Sequence, residues 1–299
     1  MVACKGKNVA VPIYRDKPQP SGCVCGCRLC IIFVVAELAL LKGSKMKRFL
    51  TALRFLTIIP VRTKNAAEQD YAKSTVFFPV VGLFIGLLLA LFNAVISGIM
   101  PQLPASVFIL IFWVFITGAL HLDGLADTFD GFYSGGDKEK ILKVMEDTAT
   151  GAKGAAVLVT LLLLKFALLV SLEGSLKVWA LLLAPVISRY SMLLAMKNSV
   201  PARSEGMGKL FIGRIGLQGL VTGSAITAAI VCASLFFLQL KILGVIALAA
   251  GVLVGLTFVK YCDFKIEGMT GDTLGALNEI VEVTVLVVMV SVSFMRGAL

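Results

Sequence analysis

ASVFILIFWVFITGAL, residues 105–120, carries no charge and runs directly into HLDGLADTFDGFYSGG, residues 121–136. The first half reads as an apolar helix that ends at a membrane surface. The second half sets Asp123, Asp127 and Asp130 at i, i+4 and i+7. In a helix that spacing puts three carboxylates on one face, within roughly 60° of arc. Like charges so close repel one another unless a cation is shared between them. Hard oxygen ligands on one stripe suit Mg²⁺, which commonly bridges carboxylates to substrate phosphates. Gly124, Gly131, Gly135 and Gly136 remove bulk beside the acids, so a large ligand has room to approach the backbone. The competing reading is a solvated loop between spans, but residues 122–154 hold seven acids, more than a plain connector needs. His121, the sole histidine, and Asp147, in KVMEDTATG, add a candidate base and a candidate fourth carboxylate to the set.

Composition sets the class. The chain has 299 residues, 58% hydrophobic and 15% charged, against about 25% charged in soluble domains. This predicts an all-α, polytopic membrane bundle embedded in the lipid bilayer. The net charge of +10 does not point to nucleic acid, because no basic segment interleaved with aromatics occurs. Lys and Arg collect in the cytoplasmic loops of membrane proteins.

Residues 1–45 differ from the rest and read as an N-terminal extension, with residues 46–299 as the membrane-embedded catalytic domain. The extension holds Cys23, Cys25, Cys27 and Cys30, a C-x-C-x-C-x-x-C run, but no second pair or histidine nearby completes a zinc set. Its apolar segment LCIIFVVAELALL is shorter than the ~20 residues a span requires. Met46 opens MKRFLTALRFLTIIPV, which reads as a natural start and as a basic, amphipathic interfacial stretch. Apolar runs follow at 76–99, 105–121, 155–171, 177–196, 217–239, 243–260 and 275–296, predicting about seven transmembrane helices. With seven spans, segments 42–75, 122–154, 197–216 and 261–274 share one side. The opposite side receives only Lys177, Lys241 and Arg296 as basic residues and Glu173 as an acid. The first side is therefore expected to be cytoplasmic, at the cell membrane. No internal repeat marks paired transporter halves.

Two further segments on that side carry chemistry. MKNSVPARSEGMGKLFIGR, residues 196–214, offers Arg203, Glu205 and Lys209 among glycines, and cations beside open amides suit phosphate. KIEGMTGDTLGALNEI, residues 265–280, places Asp272 and Thr273 at the start of the last helix, where free amides also attract phosphate. Asn278, Glu279 and Glu282 follow inside that helix, and polar groups so deep in an apolar span are usually functional. Arg189, inside ALLLAPVISRYSMLLAM, needs a partner in the Asp cluster or a substrate phosphate. Lys165 is expected to snorkel or to pair with Glu173.

HLDGLADTFDGF, PARSEGMGKLFIG, GMTGDTLGALNEI and the earlier FFPVVGLFIG resemble, in order, the motifs of the cobalamin synthase family, the adenosylcobinamide-GDP ribazoletransferases. The resemblance covers about residues 46–299. It implies a Mg²⁺-dependent membrane enzyme that joins adenosylcobinamide-GDP to α-ribazole or its 5′-phosphate and releases GMP, late in cobalamin assembly. It leaves homo-oligomerisation open. One departure stands out: where the family reads M-x-D-S-R-x-G, this chain has Met145-Glu146-Asp147-Thr148-Ala149-Thr150-Gly151, so the basic residue is missing. On this reading Mg²⁺ is held by Asp123, Asp127, Asp130 and Asp147, and the hydroxyl proton passes to an Asp such as Asp127 or Asp130, or to His121. Arg189, Arg203, Glu205, Lys209, Asp272, Thr273, Asn278 and Glu279 are the substrate-binding candidates. Two alternatives are weaker. A CDP-alcohol phosphotransferase shares only Asp127-x-x-Asp130-Gly131, and a cation transporter needs its carboxylates near mid-membrane.

Overall fold

A computed structural model of the chain describes residues 43–61, 68–237 and 242–297. The N-terminal extension and its cysteine run lie outside the described residues, apart from the few residues from Gly43 onward. A compact unit begins at Gly43. Its helices are α1 (Ser44–Leu56), α2 (Glu68–Ser74), α3 (Phe78–Ile96), α4 (Gln102–Thr117), α5 (Leu120–Phe132), α6 (Lys138–Val144), α7 (Ala152–Ser171), α8 (Gly174–Asn198), α9 (Leu217–Phe237), α10 (Leu243–Ile266) and α11 (Gly271–Gly297). Among the described residues there is no strand, only a single parallel bridge between Pro201 and Met269. All seven apolar runs are helical. Among the described residues five helices are long and apolar enough to cross a membrane, six if the bent pair α4–α5 counts as one span, and the apolar part of α9 is shorter, so five or six candidate spans replace the expected seven. The protein is a polytopic membrane helical bundle.

The run read as one span over 105–121 stops at Thr117. Gly118 (φ 61) and Ala119 (φ 56) are left-handed. Gly118 N–H donates to Phe115 O at 3.0 Å and Ala119 N–H to Val114 O at 3.0 Å. This paired closure is a Schellman helix stop, which a glycine favours because it has no Cβ to clash. The chain then turns by 86° into α5, so the acid-bearing helix leaves the direction of the span. The end of α1 docks on this elbow, with Ile58 N–H donating to Ile116 O at 3.0 Å.

α8 is the central post. Its apolar residues have no single stripe, and its span is 72% buried, as expected of a helix surrounded by others. α3 lies against it backbone to backbone. A Cβ on Gly86 would stand 2.8 Å from Leu181 O, and one on Gly82 would collide with the Pro185 carbonyl. Pro185 lacks an N–H, so it leaves the Leu181 carbonyl without its usual donor. The closest approach of the two helices falls at this point. Gly82→Ala should therefore lower stability by about 1–3 kcal/mol, read as a fall in thermal midpoint in detergent micelles. Gly98→Ala, where a Cβ meets Val95 O at an ordinary 3.5 Å, should leave the midpoint unchanged.

Candidate active site

α5 and α11 cross where neither has a side chain. A Cβ on Gly124 would lie 2.7 Å from Asp272 O, and one on Gly275 would lie 3.3 Å from the His121 backbone. The space beside Gly124 is thus filled by the backbone of α11, and that beside Gly131 by Met145. At Gly131 this corrects the expectation that the glycine makes room for ligand, while Gly124 lines the cavity described below. Gly135 does stand in open space, with φ 72.

The crossing brings Asp272 to the acidic stripe. Asp127 feels the carboxylates of Asp123, Asp272 and Asp130. Partial burial first, and then this repulsion, raise its pKa from 3.8 to about 6, with Arg203 opposing. Asp130 is differently engaged. Its two carboxylate oxygens accept from Gly151 N–H at 2.7 Å and Gly154 N–H at 2.9 Å, at the start of α7. A carboxylate is well placed on the free amides and positive end of a helix. Asp130 therefore ties α5 to α7. Asp147 is exposed and accepts from its own loop, Ala149 N–H at 3.1 Å, apart from the stripe.

The second and third rich loops are joined by backbone pairing. Met269 N–H donates to Val200 O at 2.9 Å and Ala202 N–H to Met269 O at 2.9 Å. Arg203 reaches across, with Nη1 3.5 Å from Asp272 Oδ2, Nε 3.6 Å from Glu146 Oε1, and Nη2 donating to Leu142 O at 3.0 Å. Thr273 is fully buried. Thr270 N–H donates to its Oγ1 at 2.8 Å, and Thr273 N–H donates to Thr270 Oγ1 at 3.2 Å. This reciprocal cap closes the N-terminus of α11, so Thr273 is a capping residue rather than a substrate contact.

A cavity of ≈ 270 Å³ opens where α5, α11 and the two loops meet. Asp123, Arg203, Glu205, Lys209 and Asp272 line it, as does His121. Its apolar wall is made by Phe55, Phe78 and Phe211, together with Met192 and Met196. The rings touch: Phe55 and Phe211 have centroids 4.6 Å apart, and Phe78 and Phe211 6.0 Å. This wall is not legible in the sequence, because its members come from α1, α3, α8 and a loop, and no spacing rule links them. The i, i+4 pair Met192 and Met196 was the one local sign.

Beneath the cavity lies a buried ionic network. Lys165 Nζ donates to Glu279 Oε2 and to Glu282 Oε2, each at 2.6 Å, and sits 4.8 Å over the Trp113 ring. Arg189 pairs with Glu282 through Nη1 and is completely buried. Asn278 Nδ2 donates to Glu282 Oε1 at 3.1 Å. Arg189, Asn278 and Glu279 thus serve the core instead of the cavity, and Lys165 pairs with α11 rather than Glu173. The reason is electrostatic: in an apolar interior two cations and two carboxylates must neutralise each other.

The network also decides the state of His121. Asn278 Nδ2 lies 3.1 Å from His121 Nδ1, and Arg189 Nη2 lies 3.5 Å from it. Both are donors, so Nδ1 is the acceptor and the proton sits on Nε2. A neutral histidine with Nε2–H donates on that side, which removes His121 as the base that accepts the hydroxyl proton. Nε2 is buried and has no hydrogen-bond partner among the described residues.

The family model described as cobalamin-5-phosphate synthase matches residues 48–290. The chain belongs to that family. It is 37% identical over 252 residues to the adenosylcobinamide-GDP ribazoletransferase of Thermoanaerobacter sp. (strain X514), covering 84% of this chain and 99% of that one. The protein of the same name from Clostridioides difficile (strain 630) is 35% identical over 257 residues, 84% of this chain and 99% of its own. That from Fusobacterium nucleatum is 38% identical over 262 residues, 79% and 94%. No solved structure matches the chain. The matched segment contains every cavity residue named above. Membership of this family does not favour the CDP-alcohol phosphotransferase or transporter readings.

Two outcomes follow from these charges. Lys165→Met leaves Glu279 and Glu282 short of a cation and should cost about 3–5 kcal/mol, with Glu279→Gln in the same chain recovering part of the loss in a thermal melt. Asp127 has a raised pKa, so its contribution to stability is full below pH 3.8 and is lost as pH rises through about 6. Without divalent cation, Asp127→Asn should melt no lower than the parent at pH 7.5, and the difference between the two should vanish near pH 4.

Proposed function

We propose that the chain transfers the cobinamide-phosphoryl group of adenosylcobinamide-GDP to α-ribazole or its 5′-phosphate, giving adenosylcobalamin or its 5′-phosphate and GMP. One observation carries the reading. A carboxylate, Asp127, is crowded by Asp123 and Asp272 near a cavity whose edge bears Arg203 and Lys209. Such a site is unfavourable alone and becomes favourable when a cation and a diphosphate enter together.

The donor set fits Mg²⁺. All the crowded groups are hard carboxylate oxygens, although among the described residues no three His, Cys, Asp or Glu side chains are grouped so that they could hold a metal ion by themselves. Mg²⁺ is usually held by one or two carboxylates, waters and substrate phosphate. One or two of Asp123, Asp127 and Asp272, together with the substrate phosphate, would hold it. When bound, the ion offsets the charge of the diphosphate and of the departing GMP.

The rest belongs to the protein. Arg203, steered by Asp272 and Glu146, and Lys209 bind and orient the phosphates. A ribose hydroxyl of the ribazole forms a bond to the phosphorus attached to cobinamide. The bond from that phosphorus to the bridging oxygen breaks, and the oxygen leaves on GMP. The hydroxyl proton passes to a carboxylate of the cluster. The apolar wall limits water, which would otherwise compete as nucleophile. The bias of Lys and Arg supports a cytoplasmic orientation of this face in the cell membrane.

Asp127→Asn in membranes given adenosylcobinamide-GDP, α-ribazole and Mg²⁺ should release GMP at least about 10²-fold more slowly than the parent. EDTA should halt the parent and Mg²⁺ restore it. Undiminished GMP release by the variant would discard Asp127, and EDTA-resistant turnover would discard the metal.

A further inference from the structure

The short helix α6 is held in place by few contacts. Within Lys138–Val144 only Ile141 is buried, and Met145 just beyond fills the space beside Gly131. At its start, Lys138 Nζ pairs with Glu267 Oε2 at 2.8 Å. Glu267 is largely exposed, so this pair holds α6 only weakly.

The other end of α6 is tied to Arg203. In its last turn Glu146 N–H donates to Lys143 O at 3.3 Å and Met145 N–H to Ile141 O at 3.1 Å. The carbonyl between them, Leu142 O, accepts instead from Arg203 Nη2 at 3.0 Å. Arg203 thus serves as the C-terminal cap of α6. Its Nε lies 3.6 Å from Glu146 Oε1, and its Nη1 lies 3.5 Å from Asp272 Oδ2. The guanidinium is divided: one nitrogen is turned to the first turn of α11, and the other two to α6. Only the bond to Leu142 O has hydrogen-bonding length, and both carboxylates stand beyond it. Nε is buried and has no hydrogen-bond partner among the described residues. A guanidinium with donors to spare can still form the paired, charge-assisted bonds that a phosphate offers.

We propose that α6 is a strap linked to the phosphate site through Arg203, with Glu146 as a positioning residue: the docked strap presents the guanidinium beside Asp272, and a phosphate on Arg203 holds the strap down. The assignment rests on the reading of Arg203 as a phosphate contact. Linkage is reciprocal, so a strap that improves phosphate binding must itself be stabilised by phosphate. Glu146 acts only through Arg203.

The test uses the full chain in lipid nanodiscs. Inorganic pyrophosphate with Mg²⁺ should slow amide hydrogen exchange across residues 138–146 about fivefold or more. Without ligand, Arg203→Ala should speed exchange over residues 142–146 by about the same factor. Glu146 is exposed, so Glu146→Lys should fold. By setting a like charge beside Arg203, it should raise KM for adenosylcobinamide-GDP about tenfold, with kcat and KM for α-ribazole held within about twofold. Glu146→Gln, which keeps an acceptor, should stay within about threefold of the parent. Slowed exchange without any GMP release would remove the transfer reading and leave the strap standing. Exchange in α6 that pyrophosphate does not change, or a Glu146→Lys effect on kcat alone, would overturn the strap while GMP release by the parent upholds the transfer reading.

Discussion

Glu282 is the point at which four helices are tied together. From α11 it receives Arg189 of α8 and Lys165 of α7, and through Asn278 it reaches His121 of α5. A charge in a bilayer interior is tolerated only when its counter-charge and hydrogen bonds are in place. The network supplies two of each sign, Lys165 and Arg189 against Glu279 and Glu282. A shift of α11 by one residue along α5 would separate these partners, and the penalty for that is larger than any single apolar contact at the same crossing. The ionic network thus sets the register, and the close approach of Gly124 and Gly275 depends on that register.

Register matters because the site is assembled from the ends of these same helices. With α5 and α11 in contact, Asp272 faces the Asp123–Asp127 stripe, and the left-handed elbow at Gly118–Ala119 has already turned that stripe away from the apolar span. Asp130 then anchors the other end of α5 to the first amides of α7. The acids are held close by packing that they do not themselves provide. Partial burial, and then the repulsion of its neighbours, raise the pKa of Asp127.

The division of labour around His121 follows from the same arrangement. A histidine beside aspartates invites a reading as the general base. Its surroundings decide otherwise: one ring nitrogen is saturated by the donors below it, and the other keeps the proton. The reading of each residue as acid, base or donor is a property of its neighbours, and those neighbours are supplied by helices distant in sequence.

The sequence alone determined the class of protein, the apolar character of its long helices, the helical stripe of Asp123 and Asp127, and the three rich segments that meet. These are legible because hydropathy and helical spacing are local properties. Family motifs, which are also linear, pointed to the same reaction class. What only the tertiary structure decided is pairing: Arg189 with Glu282, Lys165 with Glu279, Asp130 with the amides of α7, Gly124 with the backbone of Asp272. A charged residue in an apolar run announces that it needs a partner, but Coulomb attraction and hydrogen bonding act through space, and nothing in linear spacing says which of several candidates will be close enough. The aromatic wall of the cavity has the same origin, since Phe55, Phe78 and Phe211 share a surface only after α1, α3 and the loop before α9 have packed around α8.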